Sequence, residues 1–176
     1  MPGFPLAWFC PEERGILFFD KLHVSRSLKR IRNTSTDLKF TIDQDFKRVI
    51  TQCSKQPRPG QEGTWITPAL IDAYIELNRL GHAHSIEVWK ENELVGGIYG
   101  VDAGGVFSAE SMFYRINNGS KLALLHLIDH LRARGLEWMD IQMVTPIIEK
   151  MGGENLDREA YLKLLEKTFK KKLRLF

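Results

Sequence analysis

The sequence predicts an α+β domain, with helices packed on a mixed, largely antiparallel sheet. Three observations lead there. Apolar runs between His84 and Met112 are separated only by "KENE" and "DAGG", the spacing of an antiparallel meander. Helical periodicity flanks the meander on both sides, over Thr67–Leu80 and Gly119–Arg134. The chain has 176 residues, 43% hydrophobic and 27% charged, enough to bury a full core without disulfides or metals.

Each element has its own signal. Residues 1–14, rich in proline and aromatics, read as an irregular lead-in, and Ile16–Phe19 as a short strand. "SRSLKRIR", Ser25–Arg32, starts a helix behind a serine cap. "LKFTI", Leu38–Ile42, alternates as a strand, and Asp43–Cys53 gives a helix with Phe46, Val49 and Ile50 on one face. "SKQPRPGQEG", Ser54–Gly63, has loop composition. Thr67–Leu80 opens on a threonine cap and a first-turn proline, buries Leu70, Ile71, Tyr74 and Leu77, and stops at Gly81.

The meander strands are His84–Trp89, Leu94–Val101 and Gly105–Met112. Gly119–Arg134 is a helix with Leu124, Leu127, Ile128 and Leu131 inward, closed by Gly135. Glu137–Met143 is a strand and Pro146–Lys150 a short helix. Asp157–Lys171 is a last helix with basic residues crowding its C-terminal end.

A net charge of +3 permits nucleic-acid contact without demanding it. "MPGFPLAWF" lacks the basic segment and apolar run of a secretory signal. No apolar stretch approaches the ~18 residues of a membrane span. Cys10 and Cys53 lie far apart without a CxxC pattern, so both read as reduced thiols. The cytoplasm is the expected compartment.

Several residues invite chemistry. Glu110 places a carboxylate in an apolar strand, a costly choice unless a partner compensates it, and Arg115 and Lys121 are internal candidates. Alternation puts Ser108, Glu110 and Met112 on one face, and Phe107, Ala109 and Ser111 on the other. Asp140 and Gln142, two apart on a strand, share a face. Arg26, Lys29, Arg30 and Arg32 make one basic helix face at i, i+3 and i, i+4 spacing. His126 and His130, also i, i+4, find no third ligand and read as solvent-facing; His82 and His84 likewise lack partners. "RINNGSK" offers one glycine, too few for a pyrophosphate loop, which argues against an acetyl-CoA-dependent acyltransferase.

"TWITPALIDAYIELNRLGHAHSIEVWKENELVGGIYGVDAGGVFSAESMFYRINNGSKLALLHLIDHL", Thr64–Leu131, strongly resembles the leucyl/phenylalanyl-tRNA–protein transferases. "HVSRSLKRIR", "DIQMVTP" and the Gly152…Arg158…Tyr161 spacing continue the match, which runs from about Phe4 to about Leu165. The resemblance implies an acetyltransferase-like fold that binds the 3′ end of aminoacyl-tRNA. It implies transfer of leucine or phenylalanine to an N-terminal Arg or Lys of an acceptor protein, which marks that protein for degradation. No cofactor or metal is expected, nor any membrane contact, and a monomer suffices. Residues 1–63 then form a shortened N-terminal region with a tRNA-contacting helix, and 64–176 the catalytic domain.

The same resemblance assigns roles. Gln142 matches the family's essential glutamine, with Asp140 to orient it or to take charge from an ammonium. Glu110 matches an acidic residue that holds a cationic acceptor or orients its amine. Ile98, Phe107, Met112, Leu124, Leu127 and Met139 match the aminoacyl side-chain pocket, although strict alternation separates Phe107 from Met112 unless a bulge intervenes. By spacing alone these residues are plain core. Trp65 and Tyr74 match aromatics near the adenosine, and Arg26, Lys29, Arg30 and Arg32 the phosphate contacts. Two departures stand out. Only "MPGFPLAWF" precedes "CPEER", where the family has a longer segment. Ile147 follows "TP", where many members carry histidine. A non-catalytic binder of RNA or of N-degron peptides on the same fold is the remaining alternative.

Overall fold

The computed structural model describes residues 10–57 and 63–176. Most of the lead-in and the centre of the Ser54–Gly63 loop lie outside the described residues. The elements run β1 (Glu13–Phe18), α1 (Arg26–Thr34), β2 (Leu38–Ile42), α2 (Phe46–Lys55) and α3 (Pro68–Arg79). The meander follows as β3 (Ala83–Lys90), β4 (Glu93–Asp102) and β5 (Phe107–Tyr114), then α4 (Gly119–Ala133) and β6 (Trp138–Gln142). The chain closes with α5 (Pro146–Glu149), β7 (Gly153–Asp157) and α6 (Arg158–Phe169).

One seven-stranded sheet orders these strands β2-β3-β4-β5-β6-β1-β7. Every neighbouring pair is antiparallel except β5 and β6. The chain's first strand therefore sits inside the sheet, between β6 and β7, and joins two elements formed more than a hundred residues later. β7 has no counterpart among the expected elements. "GENLD" is short and polar, and only the β1 ladder holds it as an edge.

The caps predicted at Ser25 and Thr67 form, and Thr145 caps α5 in the same way. Ser25, Thr67 and Thr145 accept from the backbone N–H of Leu28, Leu70 and Ile148. The second helix, however, starts at Phe46 and not at Asp43. Asp45 is the cap, accepting from Arg48 N–H at 3.1 Å. Asp43 takes a left-handed φ of 53° and turns its carboxylate to His84 Nδ1 (2.6 Å) and to the Ser85 N–H (2.7 Å).

Two apolar layers cover the sheet. On one side α4 buries Leu124, Leu127, Ile128 and Leu131 against β3, β4 and β5, joined by Leu28 of α1. On the other, Val49 and Ile50 of α2 meet Tyr99 and Phe113, with Ile71 and Tyr74 of α3 half-buried beside them. A smaller layer under α6 is built on Ile16 and Trp138.

Candidate active site

The site forms where β5 and β6 part. Their parallel pairing rests on the single register pair Ser108↔Asp140. Past it, both strands break pattern. In β5 the register with β4 jumps from Tyr99↔Ser111 to Gly100↔Ala109 and leaves Glu110 unpaired, a β-bulge. In β6 the last residue, Gln142, takes φ +62°, a left-handed conformation uncommon outside glycine. The two irregularities face each other, and the Gln142 Nε2 amide donates to Glu110 Oε2 at 2.8 Å.

The bulge corrects the alternation expected of β5. Phe107, Ala109 and Met112 all pack on the α4 side, while Phe113 belongs to the opposite layer. Glu110 instead interacts electrostatically with Tyr74 of α3, in that opposite layer. Ile98, Phe107, Met112, Leu124, Leu127 and Met139 consequently share one apolar cluster, and Ile98 lies directly across the ladder from Met112. All are buried except Met112, which is half-buried.

Asp140 is 3% exposed and its carboxylate is saturated. Arg14 approaches it through Nε (3.0 and 3.1 Å) and Nη2 (2.8 Å). The Tyr161 hydroxyl donates at 2.8 Å and the Ser108 hydroxyl at 3.3 Å. Asp140 Oδ1 also accepts the Gln142 backbone N–H at 2.8 Å. With about four acceptor positions on a carboxylate, nothing remains for an incoming ammonium. Asp140 and the Gln142 side chain do not meet, since the left-handed turn sends Gln142 to Glu110 while Asp140 holds its backbone. Gly15 completes the frame. It pairs with Gln142 across β1–β6, and a Cβ there would fall 2.8 Å from the Met143 carbonyl carbon.

Burial pushes the Glu110 carboxyl above the usual carboxylate range, and the nearby Asp140 charge pushes the same way. Hydrogen bonds from Gln142 and Tyr74 and the Arg14 charge pull it down without cancelling burial. Burial and Glu110 raise the Tyr74 hydroxyl, and burial and Asp140 raise that of Tyr161, so both phenols stay protonated and donate. Burial works against the Arg14 charge, but Asp140 more than restores it.

Glu110 makes no ion pair with Arg115 or Lys121, the two internal candidates. Arg115 donates to Gln52 at 2.9 Å and Lys121 to Asn118 at 3.3 Å. Arg14 and Tyr161 are site residues that sequence reasoning misses. Arg14 is 126 residues from its partner, and no short motif announces such a pair. Tyr161 offers only its spacing as a signal. Trp65 is 41% exposed, with its indole off the core. On α1, Arg26, Lys29 and Arg30 are exposed without an ion pair among the described residues, whereas Arg32 is paired with Asp129 of α4.

His84, His126 and His130 are structural, and two expectations are corrected. His130 is half-buried, donates from Nε2 to the Leu175 carbonyl at 2.8 Å and stacks on Phe176; His126 stacks on Phe40 at 4.9 Å. Burial depresses both imidazoles. His84 is not partnerless, because Asp43 holds it and Phe176 stacks on it at 3.8 Å. No cluster of three or more potential metal ligands occurs among the described residues.

The mixed seven-stranded sheet, split between β5 and β6 and covered by helices on both faces, defines an acetyltransferase-like α+β domain. The structure of L-PGS from Bacillus licheniformis shares this fold with a TM-score of 0.52, at 18% identity over 76% of this chain and 46% of that one. The family model for leucyl/phenylalanyl-tRNA protein transferase matches residues 16–166, and the chain belongs to that family. The leucyl/phenylalanyl-tRNA–protein transferase of Flavobacterium johnsoniae is 41% identical over 93% of this chain and 77% of its own length. That of Pseudomonas fluorescens is 46% identical over 90% and 70%. That of Chromohalobacter salexigens is also 46% identical, over 94% and 64%.

Proposed function

We propose that this chain transfers leucine or phenylalanine from aminoacyl-tRNA to the N-terminal Arg or Lys of acceptor proteins. The products are marked for degradation, and the enzyme works as a cytoplasmic monomer. The observation that carries this reading is the Gln142–Glu110 hydrogen bond, made where β5 and β6 part, the two strands that also contribute Met112 and Met139 to the apolar cluster.

The reaction is aminolysis of an ester. The acceptor's α-amine, with a pKa near ~7.7–8.0, supplies a useful neutral fraction at neutral pH. Its nitrogen attacks the ester carbonyl carbon, the bond to the tRNA 3′ oxygen breaks, and a proton lost by the amine ends on that leaving oxygen. The ester is already activated, so positioning does much of the work, with effective molarities of up to ~10⁵–10⁸ M in the best-oriented cases.

Gln142 donates through Nε2 to Glu110, which leaves its Oε1 to accept from the incoming amine. An amide is a poor base, so its role is to hold nitrogen and carbonyl in register. Glu110, buried with a raised proton affinity, takes the ammonium proton or balances the acceptor's side-chain charge. Asp140 serves as the anchor of the Gln142 backbone. The apolar cluster receives the leucyl or phenylalanyl side chain and discriminates similar apolar groups weakly, by ~1–3 kcal/mol per methylene. Trp65 and Tyr74 flank the adenosine, where stacking adds roughly 1–3 kcal/mol.

The test needs only the chain, leucyl-tRNA and a peptide beginning with Arg. Mass spectrometry is expected to find one added leucyl residue. Binding of both substrates without addition would favour the non-catalytic alternative.

A further inference from the structure

The transfer chemistry leaves unused a cavity whose lining includes α5, the element that follows β6 in the chain. It has a volume of about 270 Å³ and lies between the His23–Ser25 turn, the first turn of α4 and α5. Leu28, Ile147 and Met151 supply apolar wall, and His23, Lys121 and Lys150 supply polar groups. Among the described residues, no acidic side chain lines it.

Its position ties it to the site in two ways. Lys121 precedes Leu124 by one helical turn, so the same face of α4 runs from this cavity to the aminoacyl cluster. Ile147 follows Gln142 by five residues, on the helix that begins where the β6 turn ends. Ser25, on the cavity wall, is also the cap of α1, whose exposed Arg26, Lys29 and Arg30 extend the positive charge outward.

We propose that this cavity takes a nucleotide of the tRNA 3′ strand upstream of the aminoacylated adenosine, its base against Leu28, Ile147 and Met151 and its phosphate at Lys121 and Lys150. The inference rests on the transfer reading above. Size, chemistry and charge agree. The volume is just below the ~300–1,000 Å³ of small-molecule pockets, room for one base but not for a second. An apolar wall accepts a base face of any identity, as single-strand binders do. A lining that carries two lysines and no carboxylate complements a phosphate and repels nothing in it. The cavity lining also joins α5, which follows Gln142 in the chain, to the first turn of α1 and its basic face, a course that suits a single strand running from its reacting end to the acceptor stem.

The experiment compares two donors in the intact chain, 3′-leucyl-adenosine and leucylated CCA trinucleotide. The quantity read is the ratio of their kcat/KM values, trinucleotide over nucleoside. In the wild type the ratio is expected to exceed tenfold. Lys121→Ala and Lys150→Ala are each expected to lower it about tenfold, and Ile147→Trp, which fills the cavity without touching charge, to lower it as well. A wild-type ratio near one overturns the proposal while leaving the transfer reading intact, and so does an unchanged ratio in all three variants. No transfer from either donor or from leucyl-tRNA overturns the transfer reading and this inference together.

Discussion

Arg14 grips Asp140 through Nε and Nη2 at 2.8–3.1 Å, joining β1 to a strand formed 126 residues later. The arginine side chain is 23% exposed and the aspartate 4%. That ion pair sets the position of Gln142, because Asp140 Oδ1, which accepts from Arg14 Nε, also holds the Gln142 N–H in its left-handed turn.

Breaking the pair from one side leaves a buried charge without its partner. Arg14→Ala is expected to cost about 3–5 kcal/mol in urea unfolding. Replacing both, Arg14→Met with Asp140→Asn, is expected to cost much less, because the uncompensated charge goes too. Equal losses in the single and double variants would mean that Arg14 acts by packing alone.

Gly15 tests the frame from the opposite strand. A methyl group there would meet backbone of Met143 at 2.8 Å and Val144 at 2.9 Å, which cannot yield as a side chain can. Gly15→Ala is therefore expected to shift the turn at Gln142 and lower kcat by at least tenfold, with leucyl-tRNA affinity held within about threefold. A drop in affinity with kcat unchanged would place Gly15 outside the catalytic frame.

Glu110 sets a pH dependence. Its folded pKa lies above the unfolded value of about 4.3. The folded state thus holds the proton more tightly, and stability falls as pH rises from the unfolded pKa through the folded one. Buried Glu87 is raised by burial in the same way and contributes to the same fall. Glu110→Gln removes the cost of the charged form and keeps an acceptor for the Gln142 amide. The difference in Tm, variant minus wild type, is expected to grow between pH 4 and pH 8, while transfer to Arg-starting peptides falls. A difference that stays constant with pH would show that Glu110 is compensated in the fold.

On α1 the four basic residues should not act alike. Arg26, Lys29 and Arg30 lack ion pairs among the described residues, whereas Arg32 is committed to Asp129. Alanine at each of the first three is expected to flatten the salt dependence of tRNA binding by a slope of roughly 0.7–0.9 for each phosphate no longer neutralised, whatever the aminoacyl group. Arg32→Ala is expected to do less, and Asp129→Ala to strengthen binding by freeing Arg32. Unchanged slopes in Arg26, Lys29 and Arg30 variants would remove α1 from the tRNA interface.

Local signals in the sequence are enough for most of the fold. Helix caps at Ser25 and Thr67 and the three-strand meander follow from residue type and period. The rest depends on distant partners. Strand β7 has no apolar alternation, and Asp43 resembles a helix cap until its tie to His84 is known. In the site, Glu110 stands out as a charge in an apolar strand, and Gln142 through family resemblance. The bulge that reconciles Phe107 with Met112 is a property of the β4–β5 register, and the Arg14–Asp140 pair a property of topology. Neither leaves a local pattern to read.

The central claim is that Gln142 holds amine and ester in register from the turn that Asp140 anchors. Its most direct test is single-turnover transfer from leucyl-tRNA to an Arg-starting peptide by Gln142→Ala, with tRNA binding measured in parallel. Removing a transition-state hydrogen bond of this kind is expected to slow transfer by roughly 10²–10³-fold, with the tRNA dissociation constant within about twofold of wild type. Transfer at the wild-type rate would contradict the claim and leave the tRNA's own geometry to carry the reaction.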